Sequence, residues 1–332
     1  MIKKNVKSPF IIMYHGIVTA GRGIEMLIQL LALNRDISAV ILGDGDEKYI
    51  EGLKRIADEK GVKNRIMFHE AVPNKELWRY VGAVDVGMIL APATCKNHLY
   101  SLPNKFFENI QSLTPIICPD YPAMKELVEH YKIGLRCNPE NVEEINECVK
   151  KMLLDKDFYE ECKKNLTVAK KEVCWENEKN NLLRAYKVHL GKSDDFANMK
   201  YVKYMPCNSI VNASRNKREI SAALECKFTV SVFSDDEQLP AEVFFEKTEC
   251  MYDGRCKLTY SIPKWKRIFL IFYNCMIVFC KTLKLKGDVW SCHDLCALKM
   301  AWFATRFRIH KPKLIYDSHE FEIGRHVRRN RF

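Results

Sequence analysis

Short β-branched runs alternating with helical patterns through the first 190 residues constrain this chain more than any other feature. The runs FIIMYHG, AVILGDG, RIMFHEA, VDVGMIL, PIICPD and IGLRC are interleaved with GIEMLIQLLAL, EKYIEGLKRIADEK, NKELWRYVGA and AMKELVEHY. The strand-like runs are nearly continuous in apolar character instead of alternating, as strands are when crossover helices cover both faces of their sheet. A doubly wound parallel sheet follows. Ligands of such sheets sit at the carboxyl ends of the strands, so the loops after Tyr14, Leu42, Phe68 and Leu90 are where chemistry is expected.

From about Asn141 to Leu190 the pattern is helical only, and the polar stretch GKSDDFANMK reads as a linker. A second series then begins: strand KYVKYMP, helix RNKREISAALECK, strand FTVSVFS, a poorly patterned stretch to about Ser261, an apolar helix, strand DVWSCHD, helix LCALKMAWFATRFR and strand KLIYDSHE. The expected organisation is a first α/β domain at 1–190, a linker at 191–200 and a second Rossmann-like domain at 201–332. The second domain is expected to lack its last units, because the series stops soon after a strand.

At 332 residues and 47% hydrophobic the chain can bury two cores. Its 14 cysteines form no CxxC pair and no zinc spacing, which reads as reduced thiols in a cytoplasmic protein. The first apolar run is too short for a signal-peptide core. Charge is uneven: residues 1–200 carry 30 Lys+Arg against 28 Asp+Glu, and residues 201–332 carry 23 against 14. No nucleic-acid motif accompanies the basic half, so no nucleic-acid partner is expected and an anionic membrane surface is the better fit. The segment PKWKRIFLIFYNCMIVFCKTLKLK bears on this. Its apolar core, Ile268 to Cys280, is shorter than the roughly 20 residues a spanning helix needs. It reads either as a helix packed on a sheet or as one lying in the headgroup layer with its lysines snorkelling.

After the first strand comes HGIVTAGRGIEML. Gly16 admits a ligand close to the backbone, a helix N-terminus directs amides toward it, and Arg22 adds a full positive charge. That suits a diphosphate, although an ordinary strand-to-helix turn has the same composition. GDGDEKY has the spacing of a metal-binding Asp44 and Asp46 pair, but a tight turn and a helix cap demand the same residues, and no metal is expected. The stretch SLPNKFFENI follows another strand end. Pro103 suits the first helical position, the following amides face an anion, and Glu108 can accept hydrogen bonds from the paired hydroxyls of a ribose. A capped core helix would carry the same pattern.

Residues 10–190 resemble the carboxy-terminal, nucleotide-binding domain of GT-B glycosyltransferases of the large retaining group 1, family 4-like type. The resemblance is carried by YHG with GRGIEMLI, VILGDG, IMFHEAVPNKELWRYVGAVDVGMI, SLPNKFFENIQSLTPIICPDYPAMKELV and IGLRC, in that order. It implies that Arg22 and Gly16 meet a diphosphate, that the segment Glu70 to Val72 rims the nucleobase, and that Glu108 holds the ribose. Ser101, Leu102, Pro103, Asn104 and Lys105 would cradle sugar and phosphate. Two positions depart from the family pattern: Ile17 stands where an arginine is common, and Tyr100 where an acid often touches the donor sugar. Residues 201–332 resemble the amino-terminal, acceptor-binding domain of the same group through YMPCNSIVNASRNKREISAAL, DVWSCHDLCALKMA and KLIYDSHEFE. This implies catalytic roles for Arg215, His319 and Glu320, with His293 and Asp294 nearby, while Ala213 replaces a frequent acid.

The two halves stand in reversed order relative to the family, as in a piece cut from a tandem of transferases or in a permuted enzyme. The implied activity is hexosyl transfer of the retaining type from a nucleoside-diphosphate sugar to a glycan or lipid-linked acceptor in polysaccharide or glycoconjugate biosynthesis. No cofactor is needed beyond the donor, and the setting is cytoplasmic, peripheral at the inner membrane face. The alternative is a non-catalytic nucleotide-sugar-binding fragment or a membrane-docking partner subunit. A dinucleotide-dependent dehydrogenase is disfavoured, since neither leading strand is followed by GxGxxG.

Overall fold

The computed structural model describes residues 10–191, 193–206, 208, 214–235, 239, 248–252 and 263–317. These residues divide between Asn177 and Glu178 into two compact units.

In the first unit the strands are β1 (Phe10–His15), β2 (Ile37–Leu42), β3 (Ile66–His69), β4 (Val86–Met88), β5 (Ile116–Pro119) and β6 (Gly134–Cys137). They pair in parallel as one sheet of order β3-β2-β1-β4-β5-β6. The helices between and after them are α1 (Ile24–Leu33), α2 (Glu47–Glu59), α3 (Asn74–Val81), α4 (Lys96–Tyr100), α5 (Asn104–Gln111), α6 (Pro122–Tyr131), α7 (Val142–Leu154) and α8 (Lys156–Glu172). Every residue of β1 and β2 is buried, which explains their unbroken apolar runs. One face of the sheet closes on Ile24, Leu27, Ile28 and Leu31 of α1, each contributing roughly 1.5–3 kcal/mol by burial. The chain reverses direction across the sheet between β1 and β4. In this strand order, that reversal opens the ligand crevice at the carboxyl ends.

A helix α9 (Trp175–Leu190) crosses the boundary and leads into the second unit. There the strands are β7 (Lys200–Met205), β8 (Thr229–Ser234), β9 (Thr248–Tyr252), β10 (Val289–Cys292) and β11 (Lys313–Tyr316), with helices α10 (Ser214–Glu225), α11 (Lys264–Lys284) and α12 (Leu295–Thr305). The parallel order β11-β10-β7-β8-β9 repeats the topology of the first sheet, with its reversal between β7 and β10.

Three details differ from the sequence reading. The poorly patterned stretch before Ser261 contributes β9, whose residues TECMY show little strand-like patterning. The stretch 191–200 is more than a tether, because Phe196 is fully buried and stacks on Phe228 at 4.5 Å. Helix α9, grouped by its sequence with the first domain, sends Tyr186 and Leu190 into the core beneath β7 and β8.

Candidate functional site

Gly23 shows how the β1–α1 turn is forced. Its backbone is left-handed (φ 76°), and a Cβ there would stand 2.1 Å from the Leu90 carbonyl oxygen. Only glycine lets the start of α1 approach the end of β4 so closely. The turn therefore brings Gly16 and Arg22 to the strand ends beside the loop that leads through α4 into α5.

Five side chains meet at that point: Tyr14, His15, Arg22, Lys105 and Glu108. Lys105, on the first turn of α5, reaches back so that its Nζ lies 3.8 Å from the centre of the Tyr14 ring. The same Nζ would lie 3.7 Å from a Cβ at Gly16, so the glycine leaves the space above it open to the amine. Lys105 is half-buried, and its amine is desolvated. Burial first, and then the like charge of Arg22, push its pKa down to about 7, against an opposing pull from Glu108. At neutral pH the amine is thus poised between its two forms, and an anion arriving beside it favours the proton. Burial, partly offset by Arg22, raises the Tyr14 hydroxyl to about 12, so it remains neutral and donates to the Ile17 carbonyl at 2.6 Å.

Glu108 lies one turn further along α5. Its Oε2 accepts from His15 Nε2 at 2.9 Å, and the His15 ring is 2% exposed. A carboxylate only accepts, so this contact places a proton on Nε2; Nδ1 is buried without a hydrogen-bond partner among the described residues. Glu108 itself is partly exposed, and its bond to His15 occupies one oxygen only, so it can still accept from a ligand hydroxyl. Ser101, Leu102 and Pro103 lead into α5 half-buried, and Asn104 is exposed. Pro103 serves as the N-cap, one residue earlier than the first helical position expected for it.

On the other side of β1 a cleft of about 540 Å³ is lined by Val18, Ile41, Asp44, Phe68, His69 and Glu70. Its volume is in the usual range for small-molecule pockets. Glu70 is exposed on the rim, and Val72 packs half-buried against the cluster that includes Leu42 and Val81. The acids of GDGDEKY are structural: Asp46 caps α2 by accepting from the Tyr49 amide at 2.9 Å, and Asp44 pins the loop after β3 through the Ala71 amide at 2.8 Å. Among the described residues no cluster of three or more His, Cys, Asp or Glu side chains could hold a metal ion.

In the second unit, Arg215 on α10 donates to Asp317 Oδ1 at 2.6 Å. Behind this pair lies a buried network that the sequence reading did not foresee. The fully buried Lys203 of β7 binds Asp317 Oδ2 at 2.9 Å and also pairs with Glu219, which in turn accepts from Tyr201 at 2.5 Å. Burial alone would raise the Asp317 carboxyl, but Lys203 and Arg215 outweigh it and hold it below the ordinary carboxylate range. The ion pair holds Arg215 while its side chain stays more than half exposed. His293 meets Asn216 at 3.1 Å, and Asp294 caps α12 through the Ala297 amide at 2.7 Å. His319 and Glu320 lie outside the described residues.

The structure thus brings Gly16, Arg22, Lys105 and Glu108 together at neighbouring strand ends, with Glu70 on the rim of the adjacent cleft, while Val72, expected beside it, packs into the cluster of Leu42 and Val81 instead. Sequence reasoning missed Tyr14 and His15, which read only as the end of a strand. The rule that strand ends face the ligand was the available signal. Lys203 was hidden because a lysine inside an apolar strand gives no sequence sign of its partners.

Residues 2–168 match the family model described as Glycosyl transferases group 1. Among solved structures, a glycosyltransferase from Rickettsia africae is 15% identical with a TM-score of 0.49, the match covering 57% of this chain and 50% of that one. HepE from Anabaena, solved with UDP-glucose, is 18% identical with a TM-score of 0.43, covering 52% of this chain and 50% of its own. The C-terminal domain of a group 1 family glycosyl transferase from Francisella tularensis is 15% identical with a TM-score of 0.42, covering 50% of this chain and 86% of that domain. The chain spans about half the length of the Rickettsia and Anabaena proteins. No curated protein matches it.

Proposed function

Because the chain belongs to the group 1 glycosyl transferases, we propose that it moves a hexose-like sugar, with retention, from a nucleoside-diphosphate sugar to a glycan or lipid-linked acceptor at a membrane face. The observation that carries this reading is the Lys105 amine, on the first turn of α5, lying over the open backbone of Gly16 with the Arg22 charge close enough to act on it, beside the His15–Glu108 pair. The diphosphate rests among the two cations and the helix amides, the ribose hydroxyls bond to Glu108, and the base lies toward Glu70 and Val72. As the sugar–phosphate bond breaks, charge grows on the diphosphate, and the prearranged cations and dipoles stabilise it without recruiting a metal. Lys105 takes over the task of the arginine that the family pattern has at Ile17. Arg215, His319 and Glu320 serve the sugar and the acceptor.

Calorimetric titration with UDP-, GDP- and ADP-sugars, followed by product analysis with candidate acceptors, tests this. One nucleotide should bind in the micromolar range, with EDTA making no difference, and its sugar should be released or transferred. Binding without turnover would favour the non-catalytic nucleotide-sugar-binding alternative, and an Arg22→Ala variant of unchanged affinity would contradict both readings.

A further inference from the structure

Helix α11 is divided along its length. Its last turns pack on the second unit through Val278, Thr282 and Leu285, with Thr282 hydrogen-bonded to Tyr204 at 2.6 Å. Among the described residues its first turns bury no side chain. Trp265, Ile268, Phe269, Phe272, Tyr273 and Met276 recur at spacings of three and four and are 45–70% exposed. The apolar surface continues onto α12, where Phe279 meets Phe303 at 5.4 Å and Phe307 at 5.9 Å. Both of those rings are more than half exposed. A continuous aromatic surface of this kind in water marks an interaction site.

Charge selects the partner. Residues 263–287 contain six lysines and arginines and no acid. Lys266 lies 5.3 Å from the Trp265 ring, and Arg306 lies 4.3 Å from the Trp302 ring on α12. A second copy would set this cationic segment against itself, which opposes self-association. No described helix is long and apolar enough to cross a membrane. Aromatic and aliphatic side chains beside cations, on a helix that does not span, suit the plane of an anionic bilayer, where the apolar face enters roughly 5–10 Å and cations meet lipid phosphates.

We infer that the first turns of α11, with the aromatic side chains of α12 and Phe307, dock the protein on an anionic phospholipid surface. This rests on the membrane-face reading above and gives it a location. It also explains why the described part of α11 extends beyond the turns needed to cover its sheet.

The test is sedimentation of the full chain with phosphatidylcholine vesicles, with and without about 30% phosphatidylglycerol, at about 0.1 M and about 0.5 M salt. Binding at least about tenfold tighter to the anionic vesicles and weakened by salt is expected, each tenfold step being about 1.4 kcal/mol. A Phe269→Glu, Phe272→Glu double variant should lose it. These positions are exposed, so the variant should keep its melting temperature. Absence of salt-sensitive binding to anionic vesicles, or a double variant that binds like the parent, overturns the inference. So does a parent dimer, dissolved by the same substitutions, that ignores vesicles. Nucleotide affinity measured on the same samples keeps the readings apart: its loss in the parent counts against the donor site and leaves the docking result standing.

Discussion

Lys105 gives the account its sharpest handle, because its two effects have opposite signs. Its pKa falls from an ordinary value near 10.4 in the unfolded chain to about 7 in the folded one. Below about pH 7 both states hold the proton and the folded state carries the full cost of a desolvated cation. Between about 7 and 10 the folded state has released it while the unfolded state has not, so stability rises with pH through that window. Lys105→Met should therefore stabilise the protein near pH 6, by an amount on the order of 1–2 kcal/mol after screening, with the gain vanishing toward pH 10 in urea titrations. The same variant should bind a nucleoside diphosphate at least about tenfold more weakly, as expected of a residue kept for function at a cost in stability. Near pH 8 nucleotide binding should take up a fraction of a proton, seen as a calorimetric enthalpy that varies with the buffer. Lys105→Arg, permanently charged, should show no such variation. Glu108→Gln should weaken a nucleoside diphosphate by about 1.5–3 kcal/mol more than it changes the binding of inorganic pyrophosphate, since only the former has a ribose. Equal losses for both ligands would remove Glu108 from the ribose.

At the level of elements, the βα loops matter more than the helices they start. Gly21 and Gly23 both have left-handed backbones, but a Cβ at Gly21 meets nothing within 4 Å, while one at Gly23 collides with the Leu90 carbonyl. Gly21→Ala should cost about 1–2 kcal/mol, Gly23→Ala clearly more, and only the latter should also weaken nucleotide binding, because it parts α1 from β4. Chemical denaturation and calorimetry of the two variants decide this, and equal costs would contradict the close approach. Such loops also explain how far the sequence could be read. The four inner strands of the first sheet were legible because both faces are covered, and the Lys105–Glu108 segment because it follows a strand end. Strand β9 and helix α4 were not, being short and weakly patterned. The exposed half of α11 was not resolved by sequence either, since an apolar helix has the same composition whether it packs on a sheet or faces a bilayer.

The described residues form two parallel α/β units with separate cores, each with a reversal in its strand order. Differential scanning calorimetry should resolve two unfolding steps, and a saturating nucleoside diphosphate should raise only the one that belongs to the first unit; a ligand at about 100 times its Kd adds about 2.7 kcal/mol. Alanine in place of Arg215 should leave that nucleotide-dependent rise unchanged and lower transfer alone, which separates acceptor-side chemistry from donor binding. The central claim, that the first unit holds a nucleoside diphosphate between Arg22, Lys105 and Glu108, is tested most directly by titrating UDP, GDP and ADP into the full chain and its Arg22→Ala and Lys105→Met variants. The account predicts one diphosphate bound in the micromolar range and at least about tenfold weaker binding in each variant. Binding of none of the three, or equal affinity in all three proteins, would contradict it.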